Sequence, residues 1–199
     1  MPVASTFRRS LDHSGSGVEP FPHWFLNHVL PTETCAAIDA LPVKIPVIED
    51  TAGRRETHNS SRLFFGQAQR ATYPVCDALA MTLQQDEVVR QLETLCDVDL
   101  LGSFLRIEYC LDTDGFWLEP HTDIGAKLFT MLIYLSADPG SEAWGTDILD
   151  GRETAERPGF PSLRPHCDIP APHRPRRWAF CPGRSSIHGR YRPPPPRPA

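Results

Sequence analysis

The spacing of apolar residues changes near residue 100, and this change restricts the fold more than any other feature of the chain. Between positions 74 and 96, apolar side chains recur every three to five residues, the spacing of one helix face. They are Val75, Leu79, Leu83, Val88, Leu92 and Leu95. After Leu100 the apolar runs are shorter, richer in β-branched and aromatic residues, and separated by turns. Helices followed by strands predict an α+β domain with a β-sandwich or barrel core.

Local patterns predict further elements on both sides of this change. Thr32 has the position of an N-cap, before a short helix with Cys35, Ile38 and Leu41 on one face. Strands are predicted at 62–65, 101–110, 127–136, around 144–149, and at 177–181. Residues 1–20 are polar, with Gly and Ser at 14–17, and are expected to form a flexible leader.

The C-terminal part differs sharply in composition from the rest of the chain. Residues 158–199 contain eight Arg, one Asp and twelve of the 21 prolines, although the whole chain has a net charge of −5. Such a shift is typical of a tail or an interaction arm. We therefore expect a single domain over residues 21–189 and a Pro/Arg-rich tail over 190–199.

The sequence lacks several features of secreted and membrane proteins, and this predicts both its cellular compartment and the classes of partner to exclude. Six cysteines occur without a Cys-x-x-Cys pair, and the first thirty residues contain no apolar secretory segment. No apolar run approaches the length of a membrane span. We expect a reduced, cytoplasmic protein that has neither a membrane nor a nucleic acid as partner; its oligomeric state is left open.

The segment Glu119–Asp123 contains the most informative chemical pattern. In an extended chain, His121 and Asp123 project to the same side, because side chains alternate with period two. A distant third ligand, His188, would complete two imidazoles and one carboxylate on one face of a metal. This facial triad is typical of non-haem Fe(II) oxygenases. The same donors can hold Zn²⁺ in a hydrolase, which is an open alternative.

Between about Leu100 and Gly189, four landmarks in order resemble the prolyl-4-hydroxylase-like branch of the 2-oxoglutarate- and Fe(II)-dependent dioxygenases. The first is a strand with Arg106 and Tyr109 ahead of His121-Thr-Asp123. The others are an apolar strand from Thr130 to Leu135, a Gly-containing strand at 144–146, and Phe180-Cys-Pro-Gly before His188-Gly189. Relatives often have the Arg and Tyr adjacent, so the spacing here is a small departure.

This resemblance implies a double-stranded β-helix, or jelly roll, with N-terminal helices packed on it. It also implies Fe(II) on His121, Asp123 and His188, with 2-oxoglutarate as co-substrate and O₂ as oxidant. Tyr109 and Thr130 are the expected hydroxyl contacts of 2-oxoglutarate. The expected activity is hydroxylation of a small-molecule or peptide substrate, coupled to oxidative decarboxylation of 2-oxoglutarate to succinate.

The C-terminal sequence departs from the resemblance. Relatives place an Arg or Lys for the distal carboxylate of 2-oxoglutarate about ten residues after the second His, on the last strand. Arg197 has about that separation, but it follows four prolines, which cannot join a strand ladder. Either Arg190, Arg192 or Arg197 reaches the carboxylate, or the tail is a truncation or reading-frame scar. The second case leaves a non-catalytic, metal-binding jelly-roll module with a defective co-substrate site.

Overall fold

A computed structural model describes residues 2–19, 21–43, 62–111, 126–135 and 148, together with the backbone of 177–181 and 190–191. Its helices are α1 (Pro2–Asp12), α2 (Thr32–Asp39), α3 (Gln67–Thr72), α4 (Pro74–Thr82) and α5 (Asp86–Cys96). Its strands are β1 (Gly15–Gly17), β2 (His23–Asn27), β3 (Arg62–Phe64), β4 (Phe104–Leu105), β5 (Glu108–Cys110), β6 (Thr130–Met131), β7 (Arg177–Cys181) and β8 (Arg190–Tyr191).

The strands form three small antiparallel groups. One sheet has the order β1-β2-β7-β6, and two further pairs join β3 to β5 and β4 to β8. The predicted jelly roll stays a prediction, because much of the chain between these strands lies outside the described residues. No helix in the described ranges is long and apolar enough to span a bilayer.

The hydrophobic core lies where the helices pack on one face of the first sheet. Each main element contributes a buried side chain, including Phe7 from α1, Leu26 from β2, Ile38 from α2, Leu79 from α4, Leu92 from α5 and Met131 from β6. Burying a side chain of this size stabilises the fold by about 1.5–3 kcal/mol. The helices are thus held mainly by packing of their apolar faces.

Helix α1 occupies most of the segment that the sequence predicted to be a flexible leader, and that prediction is wrong for residues 2–12. Val3, Phe7 and Leu11 lie on one helix face and are all buried. On the same helix, the Ser10 hydroxyl donates a hydrogen bond to the Asn27 carbonyl oxygen at 2.7 Å. The short apolar stripe sits among polar residues, so composition alone concealed it.

The predicted helix over 74–96 is two helices, α4 and α5. Leu83 ends α4, its N–H bonded to the Leu79 carbonyl oxygen, and Gln85 is extended before α5 begins. Asp86 and Glu87 occupy the first turn of α5, where carboxylates favour a helix N-terminus. These two acidic residues were the signal for a new helix start that the apolar spacing did not reveal.

Helix α2 carries the predicted apolar face, but its start differs from the prediction. Cys35, Ile38 and Leu41 are all buried, as expected. Thr32 is the first helical residue and Pro31 is the N-cap, with no side-chain capping hydrogen bond. The Pro31 carbonyl oxygen instead accepts hydrogen bonds from the N–H groups of Thr34 and Cys35.

Three strand predictions need shorter bounds, and one is confirmed as made. Strand β7 has the predicted bounds, whereas β3 ends one residue early, at Phe64. The predicted strand over 101–110 is divided into β4 and β5, and that over 127–136 retains only β6 within the described residues. The predicted strand around 144–149 lies, apart from Ile148, outside them.

The predicted boundary of the C-terminal tail at residue 190 also needs correction. Arg190 and Tyr191 form strand β8 and pair with Leu105 and Phe104, respectively, of β4. Residues 192–199, including Arg197, lie outside the described part of the chain.

Candidate metal and co-substrate site

The three predicted metal ligands, His121, Asp123 and His188, lie outside the described residues. Within the ranges that the structure does describe, no three His, Cys, Asp or Glu side chains are grouped so that they could hold a metal ion. The structural evidence on the site therefore comes from the strands that lead towards these ligands and from Tyr109 and Thr130.

Strands β6 and β7 bring the approaches to the predicted ligands together. Thr130 is the first residue of β6, and it lies opposite Cys181, the last residue of β7, in an antiparallel pair. Thr130 is seven residues after Asp123, and Cys181 is seven residues before His188. Thr130 and Cys181, the described strand residues nearest in sequence to Asp123 and His188, consequently lie at the same end of one sheet.

Thr130 lies on the sheet face that points away from the helical core. Its neighbours Phe129 and Met131 are both part of the core, so strand alternation directs the Thr130 side chain to the opposite face. The residue is nevertheless 3% exposed.

Tyr109, the other predicted co-substrate contact, points towards the core side of the β3–β5 pair. Its ring packs against the hydrophobic core, opposite Leu63 of β3. Its hydroxyl donates a hydrogen bond of 3.4 Å to Asp39 Oδ1, at the end of α2. Burial, followed by the negative charge of Asp39 and this hydrogen bond, raises the pKa of Tyr109 to about 12.

No hydrogen bond joins Tyr109 to Thr130 in the described part of the chain, and they face different surroundings. Tyr109 contacts a carboxylate beside the helical core, whereas Thr130 lies on the face away from that core. The structure thus places Thr130 and Tyr109 in different surroundings, and it gives Tyr109 the partner Asp39.

The other face of the β3–β5 pair carries a charged cluster that the sequence analysis did not identify. Arg62 lies opposite Cys110 and Phe64 opposite Glu108, so these four side chains share that face. Glu108 Oε2 lies 3.1 Å from Arg106 Nη2 and 3.8 Å from Arg62 Nη1. In the sequence, only the alternation of Arg106, Glu108 and Cys110 indicated that these side chains share one face. Nothing in the sequence indicated that Glu108 would meet Arg62 of β3.

No protein-family model, no curated protein and no solved structure matches this chain.

Proposed function

We propose that this protein is a 2-oxoglutarate- and Fe(II)-dependent dioxygenase that hydroxylates a small-molecule or peptide substrate in the cytoplasm. The order of the motifs in the sequence motivates the proposal, and the pairing of Thr130 with Cys181 is the structural observation that carries it. This pairing is what a site built from His121, Asp123 and His188 requires, because the two ligand-bearing segments must start from the same end of a sheet.

The donor set suits Fe(II). His121, Asp123 and His188 would hold the ion with two imidazoles and one carboxylate, the donor set typical of non-haem Fe(II) oxygenases. When bound, Fe(II) supplies the redox chemistry that couples oxidation of 2-oxoglutarate by O₂ to hydroxylation of the substrate. One oxygen atom enters the substrate as a hydroxyl group, the other enters succinate, and CO₂ leaves.

Thr130 supports the co-substrate part of the proposal. Its position on the face away from the helical core, together with its burial, lets its hydroxyl donate a hydrogen bond to a carboxylate of 2-oxoglutarate. Such a bond orients the co-substrate in a site with little water. Arg197 is the proposed cation for the distal carboxylate, with Arg190 and Arg192 as the alternatives.

A metal-binding module without dioxygenase activity is the second candidate, and Tyr109 favours it. The Tyr109 hydroxyl donates to the Asp39 carboxylate, and an anionic co-substrate placed at that hydroxyl would meet the same negative charge. A protein that had lost 2-oxoglutarate binding would still hold a metal through the triad.

Anaerobic titration of the Fe(II)-loaded protein with 2-oxoglutarate tests the two candidates. The dioxygenase predicts a visible metal-to-ligand charge-transfer band that His188→Ala, His121→Ala and Asp123→Ala each abolish. His173→Ala is the control, because it removes a histidine outside the proposed triad and should preserve the band. Bound iron without the band would favour the metal-binding module, and unchanged succinate formation in all three triad variants would refute the dioxygenase.

A further inference from the structure

The face of the β3–β5 pair that carries Arg62, Phe64 and Glu108 brings two arginines next to an exposed ring. The opposite face, with Leu63 and Tyr109, packs against the hydrophobic core. The charged face is therefore the one directed away from that core. Phe64, the last residue of β3, lies on this face and is 45% exposed, so part of its ring is accessible.

Glu108 holds two guanidinium groups next to each other. Its side chain is only 1% exposed, and its Oε2 atom lies within 4 Å of both Arg106 and Arg62. One carboxylate thus faces two positive charges, which leaves one positive charge uncompensated among these three side chains.

Within the described part of the chain, the buried Nε atom of Arg62 has no hydrogen-bond acceptor. The Arg62 side chain is 11% exposed, yet its approach to Glu108 is 3.8 Å, too long for a hydrogen bond. A guanidinium has only donors, so a ligand that reaches the exposed part of the Arg62 side chain must present an acceptor.

Arg106 is positioned to complete such a site. Its guanidinium carbon lies 5.4 Å from the centre of the Phe64 ring, and its Nη2 donates to Glu108 at 3.1 Å. Because the side chain is 49% exposed, its remaining N–H groups are accessible to a ligand. The ring and the carboxylate together fix the plane of the guanidinium.

We propose that Arg62 and Arg106 bind the carboxylate of a small organic acid whose apolar body packs on the exposed part of the Phe64 ring. A carboxylate matches the fork of a guanidinium and accepts hydrogen bonds without donating any. The proposal goes beyond the dioxygenase assignment and uses none of His121, Asp123 and His188. Failure of one assignment consequently leaves the other intact.

Benzoate is the probe for this site, and benzamide is its neutral counterpart. Titration of metal-free protein, followed by calorimetry and by ligand-observed NMR, should show saturable benzoate binding with a dissociation constant on the order of 1 mM. Benzamide has the same ring but no charge, and it should bind at least tenfold more weakly. Equal binding of the two compounds, or no saturable benzoate binding, would overturn the proposal.

Three arginine variants locate the binding. Arg62→Met and Arg106→Met should each weaken benzoate binding at least tenfold. Arg70→Met, which removes an arginine paired with Asp77 on the adjacent helices, should leave it unchanged. If Arg62→Met fails to fold, the more exposed Arg106 supplies the decisive variant. If the affinity for benzoate were unchanged in Arg106→Met, or fell as much in Arg70→Met as in Arg106→Met, the binding would come from general surface charge and the proposal would be wrong.

Discussion

Tyr109 illustrates how one side chain links helix α2 to strand β5. Its ring contacts the core while its hydroxyl reaches the carboxylate of Asp39. The raised pKa, about 12 against an ordinary value of 10.0, means that the folded protein favours the neutral phenol. This contribution to stability is complete below pH 10.0 and is lost as the pH rises towards 12.

Asp39→Asn should lower the pKa of Tyr109 from about 12 towards 10.0, because the negative charge that opposes ionisation is removed while the burial remains. Spectrophotometric titration of tyrosinate absorbance measures the shift, and Tyr109→Phe identifies which transition belongs to Tyr109. Glu33→Gln removes the same charge from the first turn of α2 and should leave the transition in place. An unshifted transition in Asp39→Asn would exclude the contact.

The sequence identified Arg106 and Tyr109 as one motif, but only the structure separates their roles. They are three positions apart on an extended segment, so period-two alternation directs them to opposite sides. Arg106 accordingly contacts Glu108 and Phe64, whereas Tyr109 contacts Asp39 and the core. The pattern of residue types identified both side chains, but it did not show that they lie in different environments.

Among the secondary-structure elements, helix α1 differs most from what the sequence predicted for the N-terminal residues. Its apolar stripe packs against β2, α4 and α5, and Gln91 Nε2 of α5 donates to the Arg8 carbonyl oxygen at 3.1 Å and to Asp12 Oδ1 at 2.6 Å. A segment predicted to be a flexible leader is thereby part of the core.

Phe7→Ala should destabilise the protein by about 3–5 kcal/mol, because Phe7 is 1% exposed and its removal leaves a cavity. Val18→Ala is the matched change for an exposed position of the same predicted leader. Val18 is 74% exposed, so its free energy of unfolding should change by less than about 0.5 kcal/mol. Urea denaturation measures both values, and equal effects would mean that α1 is not packed on the core.

The division between α4 and α5 shows a limit of periodicity. Both helices keep their apolar stripe on the core side, with Leu79 in α4 and Val88 and Leu92 in α5 buried. The stripe therefore appears continuous in sequence although the backbone is interrupted near Gln85. A pattern of buried positions reports which residues face the core, and it does not require one uninterrupted helix.

At the scale of the whole molecule, the first sheet joins distant parts of the chain. Strand β7 lies between β2 from the N-terminal part and β6 from the middle, with Phe180 opposite Trp24 on one side and Met131 on the other. Bringing together strands that are so far apart in sequence costs conformational entropy. Packing of the core specifies which of these strands pair. The first sheet thus depends on contacts between the N-terminal, middle and C-terminal parts of the chain.

Phe180→Pro should be less stable than Phe180→Gly by about 2 kcal/mol. Both variants remove the same side chain, but proline also removes an N–H from a residue with strands on both sides. The difference between their free energies of unfolding, measured by urea denaturation, reports the loss of the N–H donor less the smaller unfolded-chain entropy of proline. Equal stabilities would show that Phe180 donates no ladder hydrogen bond and would weaken the β6–β7 pairing.

The sequence by itself determined the kind of element at several places and the side chains that face the core. It gave the bounds of β7, the start of β3, and the buried face of α2, because short-range periodicity records which residues leave water. It also supplied the triad His121, Asp123 and His188 as a chemical hypothesis, since ligand type and order are visible without coordinates.

Only the tertiary structure decided which strands pair and what surrounds each polar group. The pairing of Thr130 with Cys181, the Tyr109–Asp39 contact and the meeting of Arg62 with Glu108 all join segments far apart in sequence. No local pattern encodes these contacts, because strand register and ion-pair partners are fixed by long-range packing and the burial it imposes.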